Sequence, residues 1–485
     1  MNFTSSTRNL AALIFIGALV LHLMGTWILP LVDRDEPRFA EASREMLQRG
    51  DYVVPFFNNA YRFDKPPLIY WCQAASMKLF GENEFAVRFP SAVAAALIAV
   101  LIFGFATRVA GNVVGLKAAI IFTTSLQVLV HAKLAVADMA MVCLVTAGFW
   151  SGWELSRPPE QNNQNQNRFW WWIFYLSLAF GFLAKGPVAW LPLLAPIQAA
   201  RKRDGSWRRF HPAIGIFVMF AVIAIWAVPA LVQTNGDFLR VGIGKHVIQR
   251  SVAPMEGHGL QGTLGYFVML PLYFLTVFAS FFPWSFFLPR LIRSKFYAPA
   301  RGEIDNYLLL GIAATFVLFT LVSTKLPHYT LPCFPLLALW LALNWENLVP
   351  SKKLFQRMAI GVAAIAVIVS LVGFTLLRPC FPAFEIFSKT KSLLKPEMEF
   401  ASTGYQEPGL VWYFRGDVHG FYQSINAAAL PNFMAAPGAR FCILPTAKIS
   451  DVFPTIPQSW IQTNSAGMDF VHFKRVDLTM LVKPE

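Results

Sequence analysis

The chain has 485 residues, of which 56% are hydrophobic and only 14% are charged, and its mean hydropathy is +0.49. Soluble domains carry about 25% charged residues, so a single water-soluble domain is excluded and lipid must solvate much of the chain. The 41 Lys and Arg against 27 Asp and Glu give a net charge of +14. No nucleic-acid-binding motif accompanies this charge. We therefore attribute it to basic loops at a membrane and to a site for anionic substrates, without a nucleic-acid partner.

Long apolar runs predict a polytopic α-helical membrane protein with about eleven transmembrane helices. These runs cover residues 10–32, 86–108, 113–131, 138–155, 169–184, 186–200, 212–233, 263–289, 306–323, 330–347 and 358–377. The first run is longer than the core of a signal peptide and has no small-residue cleavage site, so we interpret it as an uncleaved helix with a cytoplasmic N-terminus.

The segments between these runs are of two alternating kinds, which predicts the orientation. Short basic segments are expected in the cytoplasm, and they cover 108–117, 157–168, 201–211, 290–303 and 351–357. The other segments combine charge, His, Pro and aromatic residues, and they contain RDEPRFAE, RFDKPP, HAKLAVAD, AKGP, GKHVIQRS and STKLPHY. All six motifs are therefore predicted on the outer face of the membrane.

Two segments outside the spans have their own character. In the first external loop, residues 33–85, Phe39, Met46 and Leu47 recur at helical spacing, which predicts amphipathic helices on the membrane surface. Residues 378–485 contain no spanning run, and the stretches GLVWYF, ARFCIL and DFVHFKRV resemble strands between Gly and Pro turns. We expect a transmembrane domain over 1–377 and a small soluble α/β domain over 378–485, outside the membrane.

The five cysteines show neither CxxC pairs nor zinc-ligand spacing. Of these, only Cys380 and Cys442 are predicted to share an aqueous compartment. A disulfide between these two is left open, without further support from the sequence.

The charged motifs suggest group transfer from a phosphate. Acidic and basic residues alternate from Arg34 to Arg38, and Asp64 and Lys65 precede a rigid Pro-Pro pair. A carboxylate that takes a proton from an alcohol beside a cation that holds a phosphate is a minimal transferase site. Further cations at span ends are Lys185, Arg250 and Lys325. Alternatively, each of these cations only reaches the lipid interface.

The runs DEPRFAEASREMLQRGDYVVP, RFDKPPLIYW and FGENEFAVRFPSA resemble the first external loop of a known family. It is the ArnT-like (4-amino-4-deoxy-L-arabinose transferase) branch of the GT-C polyprenyl-phosphate-dependent glycosyltransferases, which also include protein O-mannosyltransferases. The resemblance continues through AKGP and TKLPHY over about the first 350 residues. It implies that a sugar passes with inversion from an undecaprenyl- or dolichyl-type phosphate to an acceptor hydroxyl, outside a bacterial inner membrane.

The resemblance also assigns roles to individual residues. Asp35, followed by Glu36, matches the acidic motif that supplies the general base. The positions matching phosphate or substrate contacts are Arg38, Lys65, Asp138, Lys185, Arg250, Lys325, His328 and Tyr329. A divalent ion (Zn, Mg or Mn) is implied at Asp64 and His246, although Asp64 replaces the usual Glu; no organic cofactor is expected. Phe39 replaces a family Tyr on the acceptor side.

Other functions remain open at this stage. A transporter or flippase for a lipid-linked sugar would use the same cations but needs coupling charges in mid-span, and a scaffold protein would not need the motifs. Lipid, glycan and protein acceptors all remain candidates, and neither the sugar nor the acceptor follows from the sequence. We expect a monomer among membrane lipids.

Overall fold

A computed structural model describes residues 4–157, 164–202, 204–249, 262–296, 302–349, 351–470 and 472–484. The chain divides into two compact units. The first comprises Met1–Leu23, Phe63–Ile69 and Pro90–Val367, and the second comprises Met24–Arg62, Tyr70–Phe89 and Ile368–Glu485. The second unit thus groups most of the predicted external loop with the C-terminal segment.

The first unit is built from helices, several of which begin or continue beyond it. They are Ser5–Leu23, Leu68–Phe80, Glu84–Ala110, Asn112–Thr123, Leu126–His131, Asp138–Ser156, Gln164–Lys185, Leu194–Arg201, Pro212–Gln233, Gly262–Val268, Leu272–Ser280, Leu288–Phe296, Glu303–Leu321, Phe334–Leu348 and Lys352–Ile368. Short 3₁₀ segments are Pro187–Leu193, Ser206–Phe210, Trp284–Phe287 and Pro327–Cys333. Phe238–Gln249 and Val369–Gly373 have π-helical hydrogen bonding.

Five helical segments in the described part of the chain are long and apolar enough to cross a bilayer. They are Ser5–Leu23, Glu84–Ala110, Ser206–Gln233, Glu303–Leu321 and Lys353–Cys380. A multi-pass protein is therefore confirmed, while the count of eleven spans stays a prediction.

The first helix is displaced from its predicted position. It covers Ser5–Leu23, whereas the apolar run predicted 10–32. Its end has a local cause, because Gly25 adopts a positive φ of 80° and a Cβ there would collide with the carbonyl of Ser370. The apolar residues that follow Leu23 thus belong to a turn and not to the helix.

Glycine allows close packing of the helices that carry the AKGP motif. A Cβ on Gly152 would lie 2.7 Å from that of Ala195, and a Cβ on Gly181 would lie 2.7 Å from that of Ala189. Helix Asp138–Ser156 packs against Gln164–Lys185, and both pack against the 3₁₀ segment that follows Gly186. Small residues at such contacts are typical of helix packing in membranes.

The second unit contains the predicted helix of the external loop, at Asp35–Arg49. Phe39 and Met46 are buried within the protein, and the charged residues Glu41, Arg44 and Glu45 of the same helix are buried too. Glu41 Oε2 lies 2.7 Å from Arg44 Nη1, and Glu41 Oε1 lies 3.3 Å from Arg415 Nη1. Internal ion pairs therefore replace water around these charged side chains, and the placement of this helix on the membrane surface stays a prediction.

The second unit also contains a five-stranded sheet. The strands are β3 (Glu399–Ser402), β4 (Gln423–Ser424), β5 (Arg440–Pro445), β6 (Ile461–Asp469) and β7 (Lys474–Lys483), in the order β4-β3-β5-β7-β6. A separate two-stranded ribbon pairs β1 (Phe56–Phe57) with β2 (Ala60–Tyr61). The β4-β3-β5 pairs are parallel, and the β5-β7 and β7-β6 pairs are antiparallel.

Helical segments accompany this sheet, at Phe374–Leu377, Arg378–Cys380, Pro382–Thr390, Lys391–Leu393, Pro408–Phe414, Leu430–Ala435, Thr446–Lys448 and Ile449–Val452. The sheet's own core includes Ala401, Cys442 and Leu481.

Two strand predictions in this segment are wrong. GLVWYF forms a helix, Pro408–Phe414, because Pro408 favours a first helical turn and the sheet already has its strands elsewhere. The stretch DFVHFKRV spans the turn between β6 and β7 instead of forming one strand. ARFCIL is confirmed as β5. Cys380 and Cys442 are free thiols, so they form no disulfide.

One buried ion pair holds the start of the predicted external loop, residues 33–85, in place. Arg88 donates from Nε and Nη2 to the two carboxylate oxygens of Glu36, at 2.9 Å and 2.7 Å, and both side chains are almost fully buried. Glu36 also accepts the backbone N–H of Val32 at 2.8 Å. Arg88 further donates to the backbone carbonyl oxygens of Thr26, Leu29 and Pro30. These partners give Glu36 a structural role.

Replacing Arg88 tests this anchor. Arg88→Gln leaves a buried carboxylate unpaired, and we expect the free energy of unfolding to fall by about 3–5 kcal/mol. The double variant Arg88→Gln/Glu36→Gln should lose less, because no charge is left uncompensated. Thermal unfolding of the purified protein in detergent measures both effects.

Arg475→Gln serves as the control, because the Arg475–Asp477 pair is largely exposed. A change of less than about 0.5 kcal/mol is expected there. Equal stability of Arg88→Gln and Arg475→Gln would contradict the structural role of the buried pair.

Candidate functional site

An ion pair joins two neighbouring helix ends in the first unit. Lys185 Nζ lies 2.5 Å from Asp138 Oδ1, and both side chains are mostly buried. Asp138 begins helix Asp138–Ser156 and Lys185 ends helix Gln164–Lys185. Each charge therefore has the sign that its helix terminus favours. Gly186, with φ +78°, ends the second helix directly after the lysine.

Two histidines complete this cluster. His328 Nε2 lies 3.8 Å from Asp138 Oδ1, and the His131 and His328 rings are 4.8 Å apart. Burial lowers the pKa of His328 to about 3, against the opposing effect of the Asp138 carboxylate, and Lys185, His131 and Lys65 add to the lowering. His328 is therefore neutral at physiological pH. The positive charge of Lys65 is among the charges that act on its imidazole.

Tyr329 lies beside the same cluster. Lys185 Nζ sits 5.6 Å from the centre of the Tyr329 ring, a cation–π distance. The Phe319 ring, on helix Glu303–Leu321, packs with its centre 5.0 Å from that of the Tyr329 ring. The predicted residues Asp138, Lys185, His328 and Tyr329 are thus brought together by the first unit.

Lys325 has different surroundings from the other predicted cations. Its ammonium donates to the carbonyl oxygens of Phe319, at 2.9 Å, and of Thr320, at the end of helix Glu303–Leu321. The Tyr266 and Tyr273 rings lie 5.7 Å and 5.5 Å from it. Burial lowers its pKa. Lys325 therefore caps a helix, a role that its predicted phosphate contact did not anticipate.

The two predicted catalytic carboxylates differ sharply in exposure. Asp35 is exposed and begins helix Asp35–Arg49, whereas Glu36 is buried against Arg88. Arg38 is half-buried one turn further on and acts electrostatically on Asp33. Of the adjacent pair, Asp35 is the carboxylate that solvent can reach.

The predicted metal ligands are described only in part. Asp64 is half-buried, and its backbone carbonyl oxygen accepts a hydrogen bond from Lys65 Nζ at 3.1 Å. His246 falls within the segment Phe238–Gln249, but its side chain lies outside the described residues, as does the whole of Arg250. A divalent ion at Asp64 and His246 stays a prediction.

Two residues of interest were not singled out from the sequence. The first is His131: one potential metal-ligand atom from each of His131, Asp138 and His328 lies within 4.8 Å of the others. The motif HAKLAVAD contains His131 and Asp138, but nothing in it predicts the approach of His328. The second residue is Asp33. Burial and the charge of the neighbouring Glu407 raise the pKa of Asp33 to about 7. The backbone N–H of Gly409 donates to Asp33 Oδ1 at 2.7 Å.

Comparison with known proteins gives consistent relatives. The family described as dolichyl-phosphate-mannose-protein mannosyltransferase matches residues 64–228. The undecaprenyl phosphate-alpha-4-amino-4-deoxy-L-arabinose arabinosyl transferase of Edwardsiella ictaluri is 31% identical over 74% of this chain and 66% of its own length. The enzyme of that name from Pectobacterium carotovorum is also 31% identical, over 74% and 64%. The chain thus spans just under two thirds of these curated relatives.

The fold matches across nearly the whole chain. The crystal structure of ArnT from Cupriavidus metallidurans bound to undecaprenyl phosphate aligns with a TM-score of 0.77 and 19% identity, covering 97% of this chain and 98% of that chain. Its apo form aligns with a TM-score of 0.75. These structures share the fold of the chain, and the sequence matches, together with the motifs of the external loop and AKGP, identify the family. The chain belongs to the ArnT-like family of polyprenyl-phosphate-dependent GT-C glycosyltransferases.

Proposed function

We propose that this protein transfers a sugar from a polyprenyl phosphate, of the undecaprenyl type, to a hydroxyl or phosphate of a lipid A-like, glycan or protein acceptor. The reaction takes place on the outer side of a bacterial inner membrane. The names of the curated relatives, arabinosyl transferases with an undecaprenyl phosphate donor, support this proposal. The observation that carries it is the cluster of Lys185, Asp138, His328 and Tyr329, with Lys65 nearby.

The chemistry requires few groups. The acceptor oxygen attacks the anomeric carbon, the bond from that carbon to the phosphate oxygen breaks, and polyprenyl phosphate leaves with the bonding electron pair. The acceptor's proton passes to a base. Because phosphate is already a good leaving group, cations that stabilise its developing charge supply much of the catalysis.

Asp35 is the proposed base. Its carboxylate is solvent-accessible at the start of helix Asp35–Arg49. Glu36 instead holds the loop through Arg88. Arg38, on the same helix, is proposed to assist in binding the substrate.

Lys185 and Lys65 are the proposed phosphate-binding cations, with Arg250 as a third. Asp138 orients the Lys185 ammonium, and Tyr329 lies against it and offers a hydroxyl. His328 is neutral and suited to donate or accept a hydrogen bond. Lys325 caps the end of helix Glu303–Leu321, whose Phe319 ring packs against Tyr329. A divalent ion held by Asp64 and His246 would add positive charge beside the phosphate.

Asp35→Asn tests the base. General-base catalysis contributes about 10²–10⁴-fold, so we expect turnover of polyprenyl-phosphate sugar to fall by that factor, with donor binding unchanged. Mass spectrometry of the carrier in reconstituted membranes measures this turnover, and Asp35→Glu should retain part of it.

Asp451→Asn, at another exposed carboxylate, is the control and should leave turnover unchanged. Full turnover by Asp35→Asn would rule out Asp35 as the base. A labelled donor that crosses the membrane without being consumed would instead show a transporter.

Lys185→Gln tests the phosphate cluster. A hydrogen bond to a charged group is worth about 1.5–3 kcal/mol, so we expect kcat/KM for the lipid-linked donor to fall about 10- to 100-fold. Steady-state kinetics at varied donor concentration measures the change.

Lys202→Gln is the matched control, because Lys202 also pairs with a carboxylate, Glu303 at 2.8 Å, but that carboxylate is mostly exposed. Its kinetics should stay at the wild-type level. If Lys185→Gln lowers thermal stability alone, the Asp138–Lys185 pair is purely structural.

A further inference from the structure

Three metal-binding side chains converge within the second unit, away from the residues assigned above. They are Glu407, Asp469 and His472, and one ligand atom from each lies within 4.8 Å of the others. Asp469 ends strand β6, and His472 follows in the turn before β7. Glu407 directly precedes helix Pro408–Phe414. The two carboxylates are buried, and the imidazole is half-exposed.

Existing contacts orient these ligands. Asp469 Oδ2 lies 2.7 Å from His472 Nδ1, and Asp469 Oδ1 accepts the backbone N–H of His472 at 3.0 Å. Arg34 Nε donates to Glu407 Oε2 at 3.2 Å. A carboxylate accepts about four hydrogen bonds or ligand contacts, so Glu407 can keep Arg34 and still bind a cation.

A small cavity adjoins two of these three side chains, Glu407 and Asp469, whereas His472 is not among its lining residues. It is lined by Asp33, Glu407 and Asp469 together with Tyr405 and aromatic rings. The cavity has a volume of about 10 Å³, which holds a single water or ion and is too small for a sugar.

Tyr405 gives the independent evidence for an occupant. Its side chain is only 6% exposed and lines the cavity, yet its hydroxyl has no hydrogen-bond partner among the described residues. The charges of Asp33, Glu407 and Asp469 all act on this phenol. Buried hydroxyl groups are normally hydrogen-bonded, so a bound group between Tyr405 and the carboxylates would complete the arrangement.

We propose that Glu407, Asp469 and His472 bind a divalent transition metal ion of the Zn²⁺ class, and that the Tyr405 hydroxyl hydrogen-bonds a water on this ion. An imidazole with two carboxylates suits Zn²⁺, whereas Ca²⁺ prefers oxygen ligands alone. The ion ties the β6–β7 turn to the start of helix Pro408–Phe414. This site is separate from the proposed transfer chemistry and stabilises the fold of the second unit.

Zn²⁺ binding by the full-length protein tests this proposal without any sugar substrate. The purified protein is stripped with chelator and dialysed against Zn²⁺, and the bound metal and its affinity are measured by mass spectrometry and chelator competition. We expect His472→Gln to lose one Zn²⁺ per chain, with affinity at this site weaker by more than about 100-fold. Tyr405→Phe should weaken it about 10-fold, as expected for an outer-sphere partner.

His419→Gln is the matched control, since His419 is an exposed histidine of the same unit, and it should bind as the wild type does. The difference between His472→Gln and His419→Gln excludes any ion held elsewhere in the chain. Equal Zn²⁺ content and affinity in these two variants would overturn the proposal, as would binding of Ca²⁺ in preference to Zn²⁺. If His472→Gln does not fold, the test is the Tm of the wild-type protein with and without Zn²⁺. A wild-type Tm that does not rise with Zn²⁺ would also overturn the proposal.

Discussion

A charge buried away from water must have a partner, and this constraint shapes the external loop more than any other. Glu36 and Arg88 are almost fully buried, and their two-point ion pair would be costly to break. Arg88 also satisfies three backbone carbonyl oxygens of the segment that precedes the helix. The loop can therefore leave an apolar helix and begin a new one at Asp35 without leaving polar groups unsatisfied. Asp35 is fixed in place while its own carboxylate stays in contact with solvent.

The same constraint orders the first unit. Asp138 and Lys185 stand at opposite kinds of helix terminus, so each is stabilised by its own helix as well as by the other. The ammonium still faces the Tyr329 ring and has hydrogens to spare. In the proposed function, a lipid phosphate binds a cation whose position is already set, which lowers the entropic cost of binding. Lys325, by contrast, uses its ammonium on helix carbonyl oxygens.

Much of this was predictable from the sequence, because it depends on local patterns. Apolar runs located the helices, helical spacing located Asp35–Arg49, and motif positions selected Asp138, Lys185, His328 and Tyr329. Long-range partners were not predictable. Arg88 lies 52 positions from Glu36, and nothing local indicates that they meet. GLVWYF fits a strand by composition, yet it is a helix because packing overrides propensity.

Asp35 and Glu36 show why residue type alone could not assign roles. Both are acidic, adjacent and at the first turn of one helix, and the sequence gives them equal standing as catalytic candidates. Because successive residues of a helix point about 100° apart, one carboxylate turns inward and the other outward. The inward one needs a buried cation and finds Arg88; the outward one keeps its lone pairs available to a proton. A structural anchor directly beside the proposed base restricts where that base can move, so the loop's stability and its proposed chemistry depend on the same two positions.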